Sequence, residues 1–183
     1  MNITLIRHGK TPGNEKKQYI GVTDEPLSEA GLRELREFAA RGRYPAAERL
    51  YASPMRRCVE TAGIIYPGRT PVIVQDLREM DFGRFERLSY DDIARRPGHE
   101  RFGFDERGFF FPGGEDVADF TARVVAAYTA LGEPEDAVFV VHGGVIMAIM
   151  HSLFGGDSYD YQVENGCGYT VRGYGENLKW DKL

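Results

Sequence analysis

The sequence predicts a three-layer α/β/α sandwich around a mostly parallel central sheet with antiparallel edge strands. Apolar runs of strand length alternate with helical patterns along the chain, as in other α/β domains. The run Ala137–Val141 is apolar at every position, which is typical of a central parallel strand covered on both faces. Two short runs around a glycine turn, at residues 169–171 and 177–180, indicate the edge strands.

The remaining strands are predicted from short apolar or β-branched runs that stop at polar residues, proline or glycine. They lie at residues 4–6, 49–52 and 72–74. The first run stops at Arg7, so a cation and the histidine after it follow a buried strand directly.

The helices are predicted from their caps and from apolar residues at helical spacing. Ser28 is a good N-cap for the first helix, which Gly42 ends. Pro54 suits the first position of a second helix, and Ser89 with Asp92 forms a capping box for a short third one. Two longer helical patterns follow at residues 117–131 and 145–154.

Three segments between these elements lack a regular period. Residues 12–26 are polar and broken by glycine and proline, which predicts a loop, and residues 77–83 are predicted to form a structured loop at the sheet edge. Residues 97–114 are too aromatic for a disordered linker, so they predict a lid or rim over a pocket, or a partner surface. The phenylalanines of this segment are Phe102, Phe104, Phe109, Phe110 and Phe111.

Composition limits the classes of function. A length of 183 residues predicts a single domain over 1–183, with a lid-like insertion at about 84–114. The net charge of −5 argues against nucleic acid as a partner, although a local group of arginines could still bind a small phosphorylated metabolite. Two cysteines, no membrane-spanning run and no signal-peptide pattern predict a cytoplasmic protein without membrane contact. Either a monomer or a homodimer is compatible with the edge strands and aromatic residues.

Two predicted central strands end in the same way. Arg7-His8-Gly9 follows the first strand and His142-Gly143-Gly144 follows the most buried one. Ligands of α/β sheets bind at the carboxyl ends of strands, so the two histidines mark a candidate site. Neither histidine has a cysteine or acidic partner at zinc-ligand spacing, so a metal site is weakly supported. A serine hydrolase is weaker still, because Ser53 precedes a proline and lacks a nucleophile-elbow pattern.

These residue types fit phosphoryl transfer. A neutral imidazole can attack phosphorus, and nearby cations such as Arg7 and Arg57 would keep His8 neutral and bind the phosphoryl oxygens. Glu79 could give a proton to the leaving group, although Asp81 and Glu86 are neighbouring carboxylates. Because arginine and histidine side chains supply the positive charge, this scheme needs no metal and no cofactor.

The order of motifs resembles the histidine phosphatase superfamily, which has the phosphoglycerate-mutase-like fold, over nearly the full length. The matching segments are Arg7-His8-Gly9 with Thr11 and Asn14, Gly21 with Asp24, Pro26-Leu27 and Gly31, Ser53-Pro54-Met55-Arg56-Arg57 with Thr61-Ala62, Glu79 with Phe82-Gly83, Pro112-Gly113-Gly114-Glu115, and Val141-His142-Gly143-Gly144.

The resemblance implies roles for individual residues. His8 would become a phosphohistidine, and Glu79 would act first as general acid and then as general base. The catalytic set it implies is His8, Glu79, His142, Arg7 and Arg57. The substrate-binding set is Arg7, Asn14, Arg57, Gly21, His142 and Gly143.

Some residues depart from the family pattern. Lys10 stands where an acidic or amide residue is usual, and it could face the substrate or point to solvent. Phe85 and Arg87 replace the usual tryptophan and glycine.

The predicted function is a metal-independent phosphatase for a small metabolite, and the compact chain also resembles alpha-ribazole phosphatases. A phosphoglycerate-type mutase is the alternative, and a phosphate-binding pseudoenzyme a third possibility. Family mutases carry a longer insertion than residues 84–111, which favours hydrolysis.

Overall fold

A mixed sheet forms the middle layer of the protein. The structure is a computed structural model and describes residues 2–96, 104–105, 108–132 and 136–183. The strands are β1 (Asn2–Arg7), β2 (Arg49–Ala52), β3 (Val72–Ile73), β4 (Phe104–Asp105), β5 (Gly108–Phe109), β6 (Ala137–Val141), β7 (Gly168–Arg172) and β8 (Lys179–Lys182). Within these residues, β4 and β5 form a separate antiparallel pair, and the other six strands form the main sheet.

The strand order across the main sheet is β3-β2-β6-β1-β7-β8. The first four strands in this order run parallel, whereas β7 is antiparallel to both β1 and β8. The predicted mostly parallel sheet with antiparallel strands at one edge is therefore confirmed. Because β1 and β6 are parallel neighbours, with Arg7 opposite Val141, the residues that follow both strands meet at one edge.

Helices cover both faces of the sheet. They are α1 (Pro12–Glu15), α2 (Glu29–Ala40), α3 (Arg56–Ile65), α4 (Tyr90–Ala94), α5 (Val117–Ala130) and α6 (Gly143–Phe154). Ala137, Phe139 and Val141 of β6 pack in the core that contains α5 and α6 residues, while Val138 and Val140 pack with α2 and α3 residues. Every residue of β6 is buried, as its uninterrupted apolar pattern predicts.

The predicted caps of α2 and α4 are confirmed. The Ser28 hydroxyl accepts a hydrogen bond from the backbone N–H of Gly31, and Ser89 and Asp92 form the capping box. The prediction that Pro54 is the first residue of α3 is wrong, because Met55 is the N-cap and the helix begins at Arg56.

Some predicted boundaries also differ from the structure. Helix α6 begins at Gly143, two residues before its predicted start, because glycine tolerates a helical first turn as well as a loop. The loop at 12–26 contains the short helix α1, and β8 begins at Lys179 rather than at 177. Strand β7 lies between β1 and β8, so β8 is the member of this pair at the edge.

The aromatic segment is described only in part. Phe102 and His99 lie outside the described residues, and for Phe104 and Phe109 only the backbone is described. Phe111 is buried, and its ring contacts those of Phe82, Phe85 and Tyr19 at centroid distances of 4.8–5.9 Å. A lid function for this segment stays a prediction. In the part of the chain that the structure describes, no helix has the length and apolar character needed to cross a membrane.

Candidate active site

A large cleft opens at the carboxyl edge of β1 and β6. Its volume is about 1910 Å³. Five of the predicted site residues line it, namely Arg7, His8, Asn14, Glu79 and Gly143. The other three, Gly21, Arg57 and His142, are not among the lining residues. The parallel pairing of β1 and β6 brings Arg7, His8 and Gly143 to this cleft, whereas Asn14 and Glu79 reach it from a short helix and a loop.

His8 follows β1, and a hydrogen bond from one ring nitrogen leaves the other nitrogen, Nε2, unprotonated. Its side chain is only 4% exposed, and Nδ1 lies 2.7 Å from the carbonyl oxygen of Gly9. Because a carbonyl can only accept, Nδ1 donates this bond, and Nε2 of the neutral ring keeps its lone pair. Burial and the charges of Arg57 and Arg7 lower the pKa of His8 well below its ordinary value. A neutral His8 with a free Nε2 can act as a nucleophile at neutral pH.

Arg7 lies beside His8 at the end of β1. One terminal nitrogen, Nη1, donates to the carbonyl of Val163 at 2.7 Å. In the described part of the chain, Nε of Arg7 is buried without a hydrogen-bond partner. A Cβ built on Gly143 would lie 3.5 Å from this Nε, so the guanidinium lies against the start of α6. A buried, unsatisfied cationic N–H at a helix N-terminus suits an anion.

Arg57 is fully buried in the first turn of α3. Its terminal nitrogens donate to the carbonyls of Thr23 at 2.9 Å and Gly21 at 2.8 Å, and Nε donates to Nδ1 of His142 at 3.3 Å. Two first-turn arginines oppose a helix dipole, and the structure separates them: Arg56 pairs with Glu60 near the surface, while Arg57 turns inward. Arg57 therefore supplies positive charge to the site from behind its wall.

His142 is the N-cap residue of α6 and is also fully buried. Nδ1 accepts from Arg57, so the neutral ring carries its proton on Nε2, which donates to the Ser53 hydroxyl at 2.7 Å. The rings of His8 and His142 lie edge to face with centroids 5.2 Å apart. Burial and then the Arg57 charge hold the pKa of His142 well below its ordinary value.

Glu79 lies across the cleft on the loop after β3 and is 7% exposed. Its Oε1 accepts from the Met80 N–H at 3.0 Å, and its Oε2 accepts from the Gly144 N–H at 3.1 Å. Burial raises the pKa of Glu79, although these N–H groups and the arginines partly oppose the shift. A carboxyl group with a raised pKa and a place in the cleft can hold a proton for transfer.

Comparisons with known proteins agree on one family. The family model of the histidine phosphatase superfamily, branch 1, matches residues 3–183. The chain belongs to this superfamily.

Relatives and a solved structure extend the match. The adenosylcobalamin/alpha-ribazole phosphatase of Salmonella typhimurium is 26% identical over 91% of this chain and 88% of its own length. Phosphoglycerate mutase-like protein 4 of Arabidopsis thaliana is 31% identical over 80% of this chain and 68% of its own length. The alpha-ribazole phosphatase of Shigella flexneri, at 22% identity, superposes with a TM-score of 0.82 over all of this chain and 96% of that one, which supports the fold. The prediction of a phosphoric monoester hydrolase is thereby confirmed.

Within this histidine phosphatase, two asparagines hold the loop after His8. Asn14 Oδ1 accepts from the Thr11 N–H at 3.2 Å and from Asn165 Nδ2 at 3.1 Å, so Nδ2 of Asn14 is the group that can donate to a ligand. Asn165 also donates to the His8 carbonyl at 3.0 Å. Sequence reasoning missed Asn165, whose one signal is the Asn-Gly pair that it forms with Gly166.

Three other residues lie differently from the simplest expectation. Gly21 is buried away from the cleft lining, and its N–H and C=O are bonded to Glu86 and Arg57, so its substrate contact stays a prediction. Lys10 pairs with Glu34 of α2 at 3.0 Å, which accounts for its charge without a substrate. Ser53, a weakly supported nucleophile by sequence, instead accepts a hydrogen bond from Nε2 of His142 at 2.7 Å and so holds this ring.

The side chains that commonly bind metals are not grouped among the described residues of this site. Among the residues that the structure describes, no group of three or more His, Cys, Asp or Glu side chains is arranged to bind a metal ion. The cationic groups of the site are instead arginines, which bind phosphate oxygens directly.

Proposed function

We propose that the protein is a metal-independent phosphatase that hydrolyses a small phosphorylated metabolite through a phosphohistidine on His8. The observation that carries the proposal is the state of His8, a neutral ring with Nε2 unprotonated, directed by Gly9 and flanked by Arg7. An imidazole in this state is a nucleophile, and the adjacent guanidinium can bind the oxygens of the phosphoryl group.

In the first step, Nε2 of His8 attacks phosphorus and the P–O bond to the leaving group breaks. The leaving oxygen takes the proton of the Glu79 carboxyl, whose raised pKa favours the protonated form. Arg7 and the N–H of Gly143 at the start of α6 stabilise charge on the phosphoryl oxygens. The buried charge of Arg57 adds to this field. Burial first, and then the charges of Arg57 and Arg7, lower the pKa of His8 and keep the ring neutral before the reaction.

In the second step, the Glu79 carboxylate removes a proton from water as the water oxygen attacks phosphorus. The P–N bond breaks, its electron pair returns to Nε2 of His8, and inorganic phosphate leaves. Glu79 is protonated again, so the enzyme returns to its starting state without an external proton source.

The walls of the cleft support a leaving group with a large apolar part. Tyr19, Phe82 and Phe111 all line the cleft and contact each other edge to face, with centroid distances of 4.8–5.9 Å. Aromatic walls favour planar or apolar groups over a small charged carboxylate. Together with the Salmonella relative named above, this supports alpha-ribazole 5′-phosphate as the substrate over a phosphoglycerate.

The deciding experiment combines phosphoenzyme trapping with one variant. The wild type should form an acid-labile, base-stable phosphoenzyme and hydrolyse p-nitrophenyl phosphate, and His8→Ala should lose both properties. Full activity in His8→Ala would overturn the nucleophile assignment. Activity that a chelator removes and a divalent metal restores would overturn the metal-independent mechanism.

A substrate panel separates hydrolysis from phosphoryl exchange. Alpha-ribazole 5′-phosphate, other sugar phosphates, and 3-phosphoglycerate with 2,3-bisphosphoglycerate should be compared by kcat/KM. Rapid conversion of the phosphoglycerate mixture without release of inorganic phosphate would identify a mutase instead.

A further inference from the structure

The Glu86 carboxylate lies at the centre of a hydrogen-bond cluster that the steps above do not use. Its Oε1 accepts from the backbone N–H groups of Gly21, Val22 and Phe82 at 3.0, 3.1 and 3.2 Å. Its Oε2 accepts from the N–H groups of Gly21 and Thr23, both at 3.2 Å, and from the Thr23 hydroxyl at 2.6 Å. Three of these five donors are consecutive backbone N–H groups, an arrangement that binds anions.

The other side of the same loop holds Arg57. The carbonyls of Ile20, Gly21 and Thr23 accept from the Arg57 guanidinium at 3.4, 2.8 and 2.9 Å. The N–H groups of residues 21–23 thus bind a carboxylate, while three carbonyls of the same loop bind a guanidinium. The backbone of this loop therefore connects Glu86 to Arg57. Glu86 lies 63–65 residues after the loop residues that donate to it.

Close packing keeps this loop against the segment that carries Glu79. A Cβ on Gly21 would lie 1.9 Å from the Met80 carbonyl oxygen and 2.5 Å from Glu86 Oε1, so only glycine fits. The Phe82 N–H, which also donates to Glu86, belongs to the same segment. Glu86 therefore joins the loop that holds Arg57 to the segment that places Glu79.

We propose that Glu86 is a positioning residue that fixes residues 20–23 and, through their carbonyls, the Arg57 guanidinium beside His142 and His8. The proposal rests on the proposed function, because it concerns the arrangement of the phosphoryl-transfer site. Without the carboxylate, several partly buried N–H groups would lose their acceptor, and the loop would move to satisfy them. Arg57 would follow its carbonyl partners, since a long arginine side chain has many alternative rotamers.

Glu86→Gln tests this role, because a positioning effect and a charge effect would shift the pKa of His8 in opposite directions. Arg57 and Arg7 are the charged groups that lower the pKa of His8, after burial itself, and the Gly9 carbonyl opposes them. If Glu86 acted only by its charge, its removal would lower the pKa of His8 further. If Glu86 positions Arg57, its loss moves this cation away, and the pKa of His8 rises.

We expect the pKa of His8 in Glu86→Gln to lie above that of the wild type in a ¹⁵N-imidazole NMR titration. We also expect kcat for p-nitrophenyl phosphate to fall by up to about 100-fold, as a misplaced catalytic group produces. Thr23→Val, which removes the 2.6 Å hydroxyl bond alone, should give a smaller shift of the same sign. The Thr23→Val variant keeps the proposal testable if Glu86→Gln does not fold.

Glu115→Gln is the matched control. Its carboxylate accepts two bonds from Arg123 at 2.8 and 2.7 Å and has no bond to residues 20–23. This variant should lose folding stability while the pKa of His8 stays at the wild-type value.

The titration needs no turnover, so the two proposals fail separately. A lowered or unchanged pKa of His8 in folded Glu86→Gln and Thr23→Val overturns the positioning role at any level of activity. Wild type without phosphoenzyme or hydrolysis, but with the expected titration shift, overturns the proposed function alone.

Discussion

Arg87 has a backbone conformation that favours glycine over other amino acids. Its φ is 63°, in the left-handed region, and its N–H donates to the Tyr19 carbonyl at 2.9 Å. The family pattern has a glycine at this position, and glycine adopts such a φ without the steric cost that a Cβ brings. Arg87 is exposed, so its side chain is not needed to fill the core.

Replacing Arg87 with glycine should therefore stabilise the protein. The left-handed conformation costs a non-glycine residue about 1–2 kcal/mol, and glycine loses about 0.5–1 kcal/mol of extra backbone entropy on folding. We expect Arg87→Gly to raise the free energy of unfolding by about 0.5–1 kcal/mol in urea denaturation. Arg95→Gly is the control, because Arg95 has a φ of −81°, and there the glycine should destabilise. A destabilised Arg87→Gly would contradict this account.

Glu79 carries a second prediction at the scale of single residues. Glutamine keeps the size of the side chain but cannot supply an acidic proton, so Glu79→Gln should slow substrates whose leaving groups need protonation. We expect kcat/KM for an alkyl phosphate to fall by about 10²–10⁴-fold, the usual contribution of a general acid. The loss for p-nitrophenyl phosphate should be much smaller, because its leaving group departs as an anion. Equal losses for both substrates would assign the proton to another group.

The site residues that the sequence could predict are those on local patterns. His8 and His142 each follow a buried apolar run, so a strand end and an edge of the sheet suffice to bring them together. Ser53 and Asn165 act through contacts with residues 89 and 157 positions away, and no local period encodes such a pairing.

At the scale of elements, α3 depends on a cap from outside its own sequence. Its N-cap residue, Met55, has no side-chain hydrogen bond, and the Arg56 N–H donates instead to Asp24 Oδ1 at 2.7 Å. A carboxylate at a helix N-terminus also complements the dipole that the first-turn arginines oppose. The start of α3 is therefore fixed by the loop that also holds Arg57, which local sequence rules could not predict.

Comparing Asp24→Ala with Ser28→Ala tests whether the cap of α3, the helix that carries Arg57, matters for activity as well as for stability. Ser28 caps α2 through its own hydroxyl, so each substitution removes one hydrogen bond at a helix N-terminus. Ser28→Ala also removes the bond that this hydroxyl donates to Glu15 Oε1 at 2.5 Å. Each should lower the free energy of unfolding by about 1 kcal/mol, measured by urea denaturation. Only Asp24→Ala should also lower kcat, because α3 begins one residue before Arg57. Similar losses of kcat in the two variants would mean that the effect is one of stability.

At the scale of the whole molecule, an acidic protein surrounds a cationic site. The net charge is −5, yet Arg7 and Arg57 are both largely or fully buried beside two buried histidines. The net charge of the whole sequence does not show this local arrangement of cations, and the absence of a nucleic-acid partner stays a prediction. The sandwich itself was predictable, because strand and helix periods are short-range signals, whereas the aromatic wall depends on how distant loops pack.

Burial of neutral histidines also couples the stability of the whole domain to pH. The pKa values of His8 and His142 are lowered on folding, so below about pH 6.5, the ordinary histidine pKa, the unfolded chain binds more protons than the folded one. Their contribution to stability is fully present above this pH and is lost as pH falls toward the folded pKa values. Glu79 acts in the opposite direction, because its raised pKa favours the folded state while it is protonated, and this contribution is lost as pH rises.

We expect the free energy of unfolding to fall with decreasing pH below about 6.5, by about 1.4 kcal/mol per pH unit for each histidine that only the unfolded chain protonates. Urea denaturation at a series of pH values measures this slope. His8→Gln and His142→Gln should each reduce it, because each removes one such group. His151→Gln, at an exposed position on α6, is the control and should keep the wild-type slope. A slope that is unchanged in both buried-histidine variants would show that other groups govern the acid sensitivity of the fold.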